Sequence, residues 1–309
     1  MGSKYSRAAL AIVLCVVILL VSVPAGFSKS AKKHYSHRKY SSVKTETISG
    51  NLVLRSAAAW VEDQETGKLL IQKQPNAVLP IASISKLMTA MVVIDAGLNL
   101  DEPLTIEPDD VDTIHHSHSR MPVGTTLTRR DALLLALMSS DNRCAHALGR
   151  TYLGGLEDCV DAMNEKAKSL GLSETHFKDT SGLSGSNVSS ARDLARLVDT
   201  AYQYSLIRKF TTTKKATVYS GERVVEFHNT NHLVQNPSWQ IGLSKTGFTG
   251  AAGRCLVMQA NLAQRPVLIV LLDSQGKMTR IGDANRIKRW LETKSPSQRT
   301  QRGRQYHVG

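Results

Sequence analysis

The sequence is poor in cysteine and tryptophan, with four and three among 309 residues. Cys15 lies in an N-terminal apolar run, which leaves Cys144, Cys159 and Cys255, an odd number too widely spaced for a disulfide framework. They are expected as buried thiols, with a Cys144 to Cys159 bridge the less favoured alternative. Trp60, Trp239 and Trp290 are too scattered for a sugar-stacking platform and are expected to pack in the core. No glycine-rich phosphate loop and no internal repeat is present. His115, His116 and His118 fall in a polar loop without an accompanying ligand pattern, so no metal site is expected, and Asp109, Asp110 and Asp112 read as surface charge. No cofactor is implied.

Acid is scarce at both ends of the chain. Residues 1–48 and 294–309 hold twelve basic residues against the single Glu46, which leaves the segment between them at about +2 of the formal net charge of +13. A nucleic-acid reader carries its basic patch on the fold, so the balance here argues against that class. The ends read as a basic, disordered linker at 26–51 and a similar tail at 294–309, with at most a loose association with anionic envelope polymers. Lys4 and Arg7 precede the apolar run Ala8–Val21, and small residues follow around Pro24, Ala25 and Gly26. That is the layout of a secretory signal over residues 1–25, cut after Ala25 in preference to Ser28. The run of about 14 residues is short for an anchor, which needs about 20. Leu14 is too large for a lipoprotein site at Cys15.

A folded domain is expected over residues 52–293. Alternating segments at Ser56–Asp63 and Lys68–Gln72 predict a hairpin turning at Gly67. Helices are predicted at Ser83–Ala96, from the cap Thr128 to Leu137, at Leu156–Leu170 and at Ser190–Tyr204. Strands return at Ala216–Ser220, Arg223–Phe227, Ser244–Phe248, Arg254–Asn261 and Pro266–Asp273, the last three as an antiparallel meander, and a helix at Lys277–Leu291 covers them. Strands at both ends around a helical centre predict an α+β fold: one sheet from N- and C-terminal segments, flanked by helices, with a helical subdomain inserted.

Three segments carry chemistry: Ser83-Ile84-Ser85-Lys86 on a helix start, Ser140-Asp141-Asn142 at a helix end and Lys245-Thr246-Gly247 on a strand. Each is weak alone, but the set in this order is the signature of class A β-lactamases and penicillin-binding proteins. A serine hydroxyl needs a base in contact with it, and residues three apart share a helix face, so Lys86 can reach Ser83. The amine must be neutral, which burial and a second cation such as Lys245 both promote. Ser140 suits a proton relay from Lys86 to the leaving amine, Asn142 suits the substrate amide, and Lys245 suits a substrate carboxylate. Thr246 and Gly247 belong to the strand edge along which substrate would lie, and the N–H groups of Ser83 and Phe248 are the oxyanion donors.

On these residues the chain resembles the low-molecular-mass penicillin-binding proteins of the D-alanyl-D-alanine carboxypeptidase family. The likeness extends through Pro80–Thr89, Leu170-Gly171-Leu172, Thr180-Ser181-Gly182-Leu183 and Ser189–Leu194, and covers roughly Leu52 to Trp290. Arg120–Thr125, Met138–Arg143, His228–Asn231 and Gly242–Thr249 look most like the D-alanyl-D-alanine endopeptidases within it. The resemblance implies a β-lactamase/transpeptidase-like fold with a five-stranded antiparallel sheet, a periplasmic location, cleavage of D-alanyl to meso-diaminopimelyl cross-links in peptidoglycan, and covalent inhibition by β-lactams; a D-alanyl-D-alanine carboxypeptidase is the alternative. Glu157–Leu170 looks like the penicillin-binding helix rather than one bearing a deacylating glutamate, so a β-lactam acyl-enzyme should hydrolyse slowly. Only a polar basic tail follows the last helix, so attachment by a C-terminal amphipathic helix is not expected. Cys144, where the family usually has alanine, is expected to pack.

Overall fold

The structure, a computed structural model, describes residues 52–113, 116–220 and 223–294. The signal and linker, the tail beyond Lys294, and the readings of His115 and Gly221 lie outside those residues. Strands β1 (Ser56–Asp63) and β2 (Leu69–Lys73) form the expected hairpin, with Gly67 at φ +68° in its turn. The short β3 (Leu79–Pro80) leads through a 3-10 turn, Ala82–Ser85, into α1 (Lys86–Asp95). Strands β4 (Pro103–Thr105) and β5 (Thr126–Thr128) pair across a loop, and α2 (Arg129–Met138), α3 (Asn142–Arg150) and α4 (Leu156–Ser169) follow. After β6 (Val188–Ser189), which pairs with β3, come α5 (Ala191–Tyr202) and α6 (Ser205–Thr212). The hairpin β7 (Lys215–Ser220) and β8 (Arg223–His228) precedes the meander β9 (Gln240–Thr249), β10 (Gly253–Leu262) and β11 (Arg265–Ser274) and the covering helix α7 (Thr279–Lys294).

The five long strands make one antiparallel sheet in the order β2-β1-β11-β10-β9, so the first strand closes on the last and β9 is left at an edge. Strand periodicity divides the apolar run of β11 between two cores. Leu268, Val270 and Leu272 join Cys255 and Val257 of β10 in the core under the helical part, while Val267, Ile269 and Leu271 face α7 with Leu256 and Met258. Burial on both faces explains why β10 and β11 read as continuous hydrophobic segments.

The caps act as their chemistry dictates. Thr128 Oγ1 accepts the Asp131 N–H at 3.0 Å, and Ser190 Oγ accepts that of Asp193 at 3.1 Å. Helix α1 is buried on all faces through Val93, because other helices pack around it. Asp110 differs from its reading as surface charge: it is buried, accepting from His146 Nδ1 at 2.7 Å and Arg150 at 2.9 Å. Burial pushes its carboxyl up, but these bonds outweigh that and its pKa is lowered. Cys144, Cys159 and Cys255 are buried and unbridged, and Trp239 is buried while Trp60 and Trp290 are half-buried.

One buried carboxylate ties the two ends of the domain together. Asp283 on α7 accepts from the backbone N–H groups of Arg55, at 3.0 Å, and Ser56, at 2.7 Å, and from Ser56 Oγ at 2.6 Å, beside Arg286. Asp283→Ala strands these donors and is expected to lower unfolding free energy by about 3 kcal/mol. Urea denaturation checks this, and an unchanged midpoint would remove Asp283 from the account of stability.

Candidate active site

The turn that carries Ser83 is held in an uncommon backbone shape. Ala82 has φ +49° and is buried, and Ser85 Oγ donates to Ala82 O at 2.9 Å, closing the turn that presents half-buried Ser83. Ser83 therefore lies within the 3-10 turn that runs into α1, and Lys86 follows one turn later on the same face.

Lys86 is buried, with Nζ 2.8 Å from Ser83 Oγ, 2.7 Å from Asn142 Oδ1 and 2.5 Å from Ser181 O. Three oxygens could take three ammonium protons. The set fits the neutral amine equally well: two N–H groups go to the two carbonyl oxygens and the lone pair receives the Ser83 O–H. Burial favours that form, lowering the pKa of Lys86 to about 8 against the opposing pull of Asp179 and Asp141.

Ser140 stands in the turn between α2 and α3 at φ +62°, and Asp141 caps α3 by accepting the Cys144 N–H at 3.0 Å. The second motif thus joins two helices where one helix end was expected. Lys245 Nζ, rather than Lys86, donates to Ser140 Oγ at 2.8 Å, and also to Thr246 O at 3.0 Å. Burial first, then the charges of Lys86 and Arg280, hold the Lys245 amine well below its ordinary pKa. Asn142 spends its carbonyl on Lys86, so its side chain can meet any further partner only as a donor.

Thr246 Oγ1 donates to Thr230 Oγ1 at 2.7 Å. Gly247 has a stricter role than openness to substrate, since a Cβ there would lie 2.7 Å from Ile81 O and 3.3 Å from Ser83 N. Only glycine lets β9 approach the nucleophile turn. Arg280 of α7 donates to Gly247 O at 2.7 Å and to Cys255 O at 3.0 Å. The Phe248 side chain turns outward, 57% exposed, with the Arg254 guanidinium 4.2 Å above its ring, so that residue meets the site through its backbone.

Ser83, Lys86, Ser140, Asn142, Lys245, Thr246 and Gly247 are thus brought together in one cleft. The sequence reading missed the loop 179–187 as part of this site. Asp179 gathers the N–H groups of Ser181, Gly182 and Ser184, each within 2.7 Å, and Asn187 Nδ2 donates to Ser85 Oγ at 2.9 Å. Thr89 Oγ1 donates to Thr180 O at 2.7 Å, one turn beyond Lys86. The signal lay in Thr180-Ser181-Gly182-Leu183, read as resemblance without a physical role. Cys144 is buried and its thiol is pushed well up by that burial, consistent with packing and not with reactivity. No group of metal-ligating side chains occurs among the described residues.

The family model for D-alanyl-D-alanine carboxypeptidase matches residues 44–276. The D-alanyl-D-alanine endopeptidase of Pseudomonas aeruginosa is 49% identical over 242 residues, 78% of each chain. That of Escherichia coli is 46% identical over 242 residues, again 78% of each. Among solved structures, the Streptomyces K15 DD-transpeptidase superposes with a TM-score of 0.72 at 28% identity, covering 77% of this chain and 97% of that one.

Proposed function

The chain belongs to the D-alanyl-D-alanine carboxypeptidase family and is a serine-type D-Ala-D-Ala peptidase, and from that premise we propose that it is a periplasmic endopeptidase cutting D-alanyl to meso-diaminopimelyl cross-links through an acyl-enzyme on Ser83. The observation that carries the mechanism is the set of three oxygens around Lys86 Nζ. As Ser83 Oγ attacks the D-alanyl carbonyl, its proton passes to the Lys86 lone pair, and the oxyanion is received by the N–H groups of Ser83 and Phe248. Ser140, its oxygen held by Lys245, hands its own proton to the departing nitrogen and is restored from the proton Lys86 has taken. Water then follows the same route in reverse and releases the D-alanyl product.

Arg280 and Thr246 supply positive charge and a hydroxyl where the leaving amino acid ends in a carboxylate. Asn142 and the β9 edge hold the acyl-side peptide by strand addition. β-Lactams, which offer a strained amide to the same hydroxyl, acylate Ser83. The identity to two D-alanyl-D-alanine endopeptidases supports this reading over a carboxypeptidase. We also assign the signal to 1–25 and the catalytic domain to 52–293.

Two expected results test the proposal. Purified protein should release monomers from dimeric muropeptides and form a penicillin adduct located by mass spectrometry on Ser83, with Ser83→Ala giving neither. Loss of only terminal D-alanine from pentapeptides would leave the carboxypeptidase reading instead. Acylation should also rise with pH and level off above about 8, since deprotonation through the Lys86 pKa of about 8 creates the base. The same depressed pKa means folding releases a proton between about 8 and 10.5, so stability rises with pH across that window. Stopped-flow acylation of a fluorescent penicillin measures the profile, and a rate flat from pH 6 to 10 would rule out this amine as the base.

A further inference from the structure

Beside Ser140, a cleft of about 240 Å³ opens off the catalytic site between the loop 116–120 and the β7–β8 hairpin. Its walls include His118, Arg120, Ser140, Phe227, His228 and Thr230. It is continuous with the machinery through two bonds, Lys245 Nζ to Ser140 Oγ and Thr246 Oγ1 to Thr230 Oγ1. The cleft thus lies on the side of Ser140, the residue that protonates the departing nitrogen.

Its acidic groups are engaged and its arginine is not paired with one of them. The Asp141 carboxylate at its floor is buried and committed, accepting the Cys144 N–H at 3.0 Å and the Ser119 hydroxyl at 2.7 Å. Glu226 is matched by His228 Nε2 at 2.9 Å and Lys215 at 3.6 Å. Arg120 donates one N–H to Glu226 O at 2.8 Å, an uncharged acceptor, and makes no ion pair among the described residues. That bond holds the guanidinium at the wall of the cleft and uses one of its five donors. His118, His228 and the Ser140 and Thr230 hydroxyls complete a wall rich in donors.

Resting on the endopeptidase reading, we propose that this cleft binds the leaving stem peptide beyond its first carboxylate, with Arg120 recognising a second carboxylate of that stem. The two candidate reactions differ at this point. A carboxypeptidase expels free D-alanine, which ends at the carboxylate placed near Thr246 and Arg280. An endopeptidase expels a whole second stem, an extended peptide carrying further carboxylates, and that chain must leave the site past Ser140. A donor-lined cleft is of use only to the larger leaving group.

The test compares three acyl donors on the full chain: a cross-linked muropeptide dimer, a pentapeptide and a fluorescent penicillin. Arg120→Ala is expected to lower kcat/KM for the dimer by about tenfold or more, chiefly through KM, because a charge-assisted contact contributes to binding. Pentapeptide cleavage and penicillin acylation, which leave the cleft empty, should stay within about twofold. A dimer whose leaving stem keeps its first carboxylate but has the others amidated should show the same loss with the wild type. If the wild type cleaves the dimer and Arg120→Ala cleaves it equally well, or if all three donors suffer alike, the cleft has no such role. A wild type that never cleaves the dimer overturns the endopeptidase reading itself, which is a separate result seen before any variant is made.

Discussion

Lys86→Arg is expected to acylate with penicillin at least about 10³-fold more slowly than wild type, with little change in fold. The guanidinium retains positive charge and can donate to Asn142 Oδ1 and Ser181 O, but it is not deprotonated in proteins and offers no lone pair to Ser83. Lys86→Met removes charge and base together and should be as slow, although it relieves the cost of burying an amine in this site. The pair separates two roles. Were Lys86 a fixed cation that merely stabilises the oxyanion, the arginine variant would retain much of the rate while the methionine variant lost it. Stopped-flow acylation with circular dichroism as a folding control decides between these, and an arginine variant within tenfold of wild type would discard the general-base role.

How far this site could be read from the sequence follows the range of the interactions involved. Ser83 and Lys86 sit one turn apart, and the caps Thr128 and Ser190 act three residues ahead, so local spacing reveals them. The sheet was legible because alternation and short turns survive in β9, β10 and β11, and because strands appear at both ends of a helical centre. Asp110 was misread because the partners that make its burial tolerable, His146 and Arg150, are 36 and 40 residues away. Helix α3 was passed over because Asp141, its cap, looked like the end of the preceding helix, and the left-handed turn at Ser140 leaves no mark in a serine codon of sequence. Ser181 contributes a backbone carbonyl, which every residue has, so its part in holding Lys86 has no side-chain signature at all. The bond from Lys245 to Ser140 shows the same limit, since it spans 105 residues and has no local signature.

Gly182→Ala tests whether the unrecognised loop is as necessary as the motifs. Gly182 has φ +81°, and a Cβ there would lie 2.0 Å from Ala82 O and 2.8 Å from Ser83 N, both backbone atoms of the nucleophile turn. Neither can rotate away, so either the loop retreats and carries Ser181 O off Lys86, or the turn moves and carries Ser83 with it. A displacement of about 1 Å costs about 10²-fold in a positioned reaction, and acylation should fall by at least that much. Overpacking together with a left-handed alanine should also lower unfolding free energy by about 2–4 kcal/mol. Gly185→Ala in the same loop is the matched control, because its added methyl would meet only the Ala251 side chain at 3.6 Å, and it should leave both quantities near wild type. Lys86 titration separates the two routes of damage: loss of the Ser181 carbonyl removes an acceptor from the ammonium and moves the acylation midpoint below about 8, whereas a shifted Ser83 lowers the plateau and leaves the midpoint in place. A Gly182→Ala variant that acylates as fast as Gly185→Ala would mean that the loop is packing around the site and takes no part in holding its base.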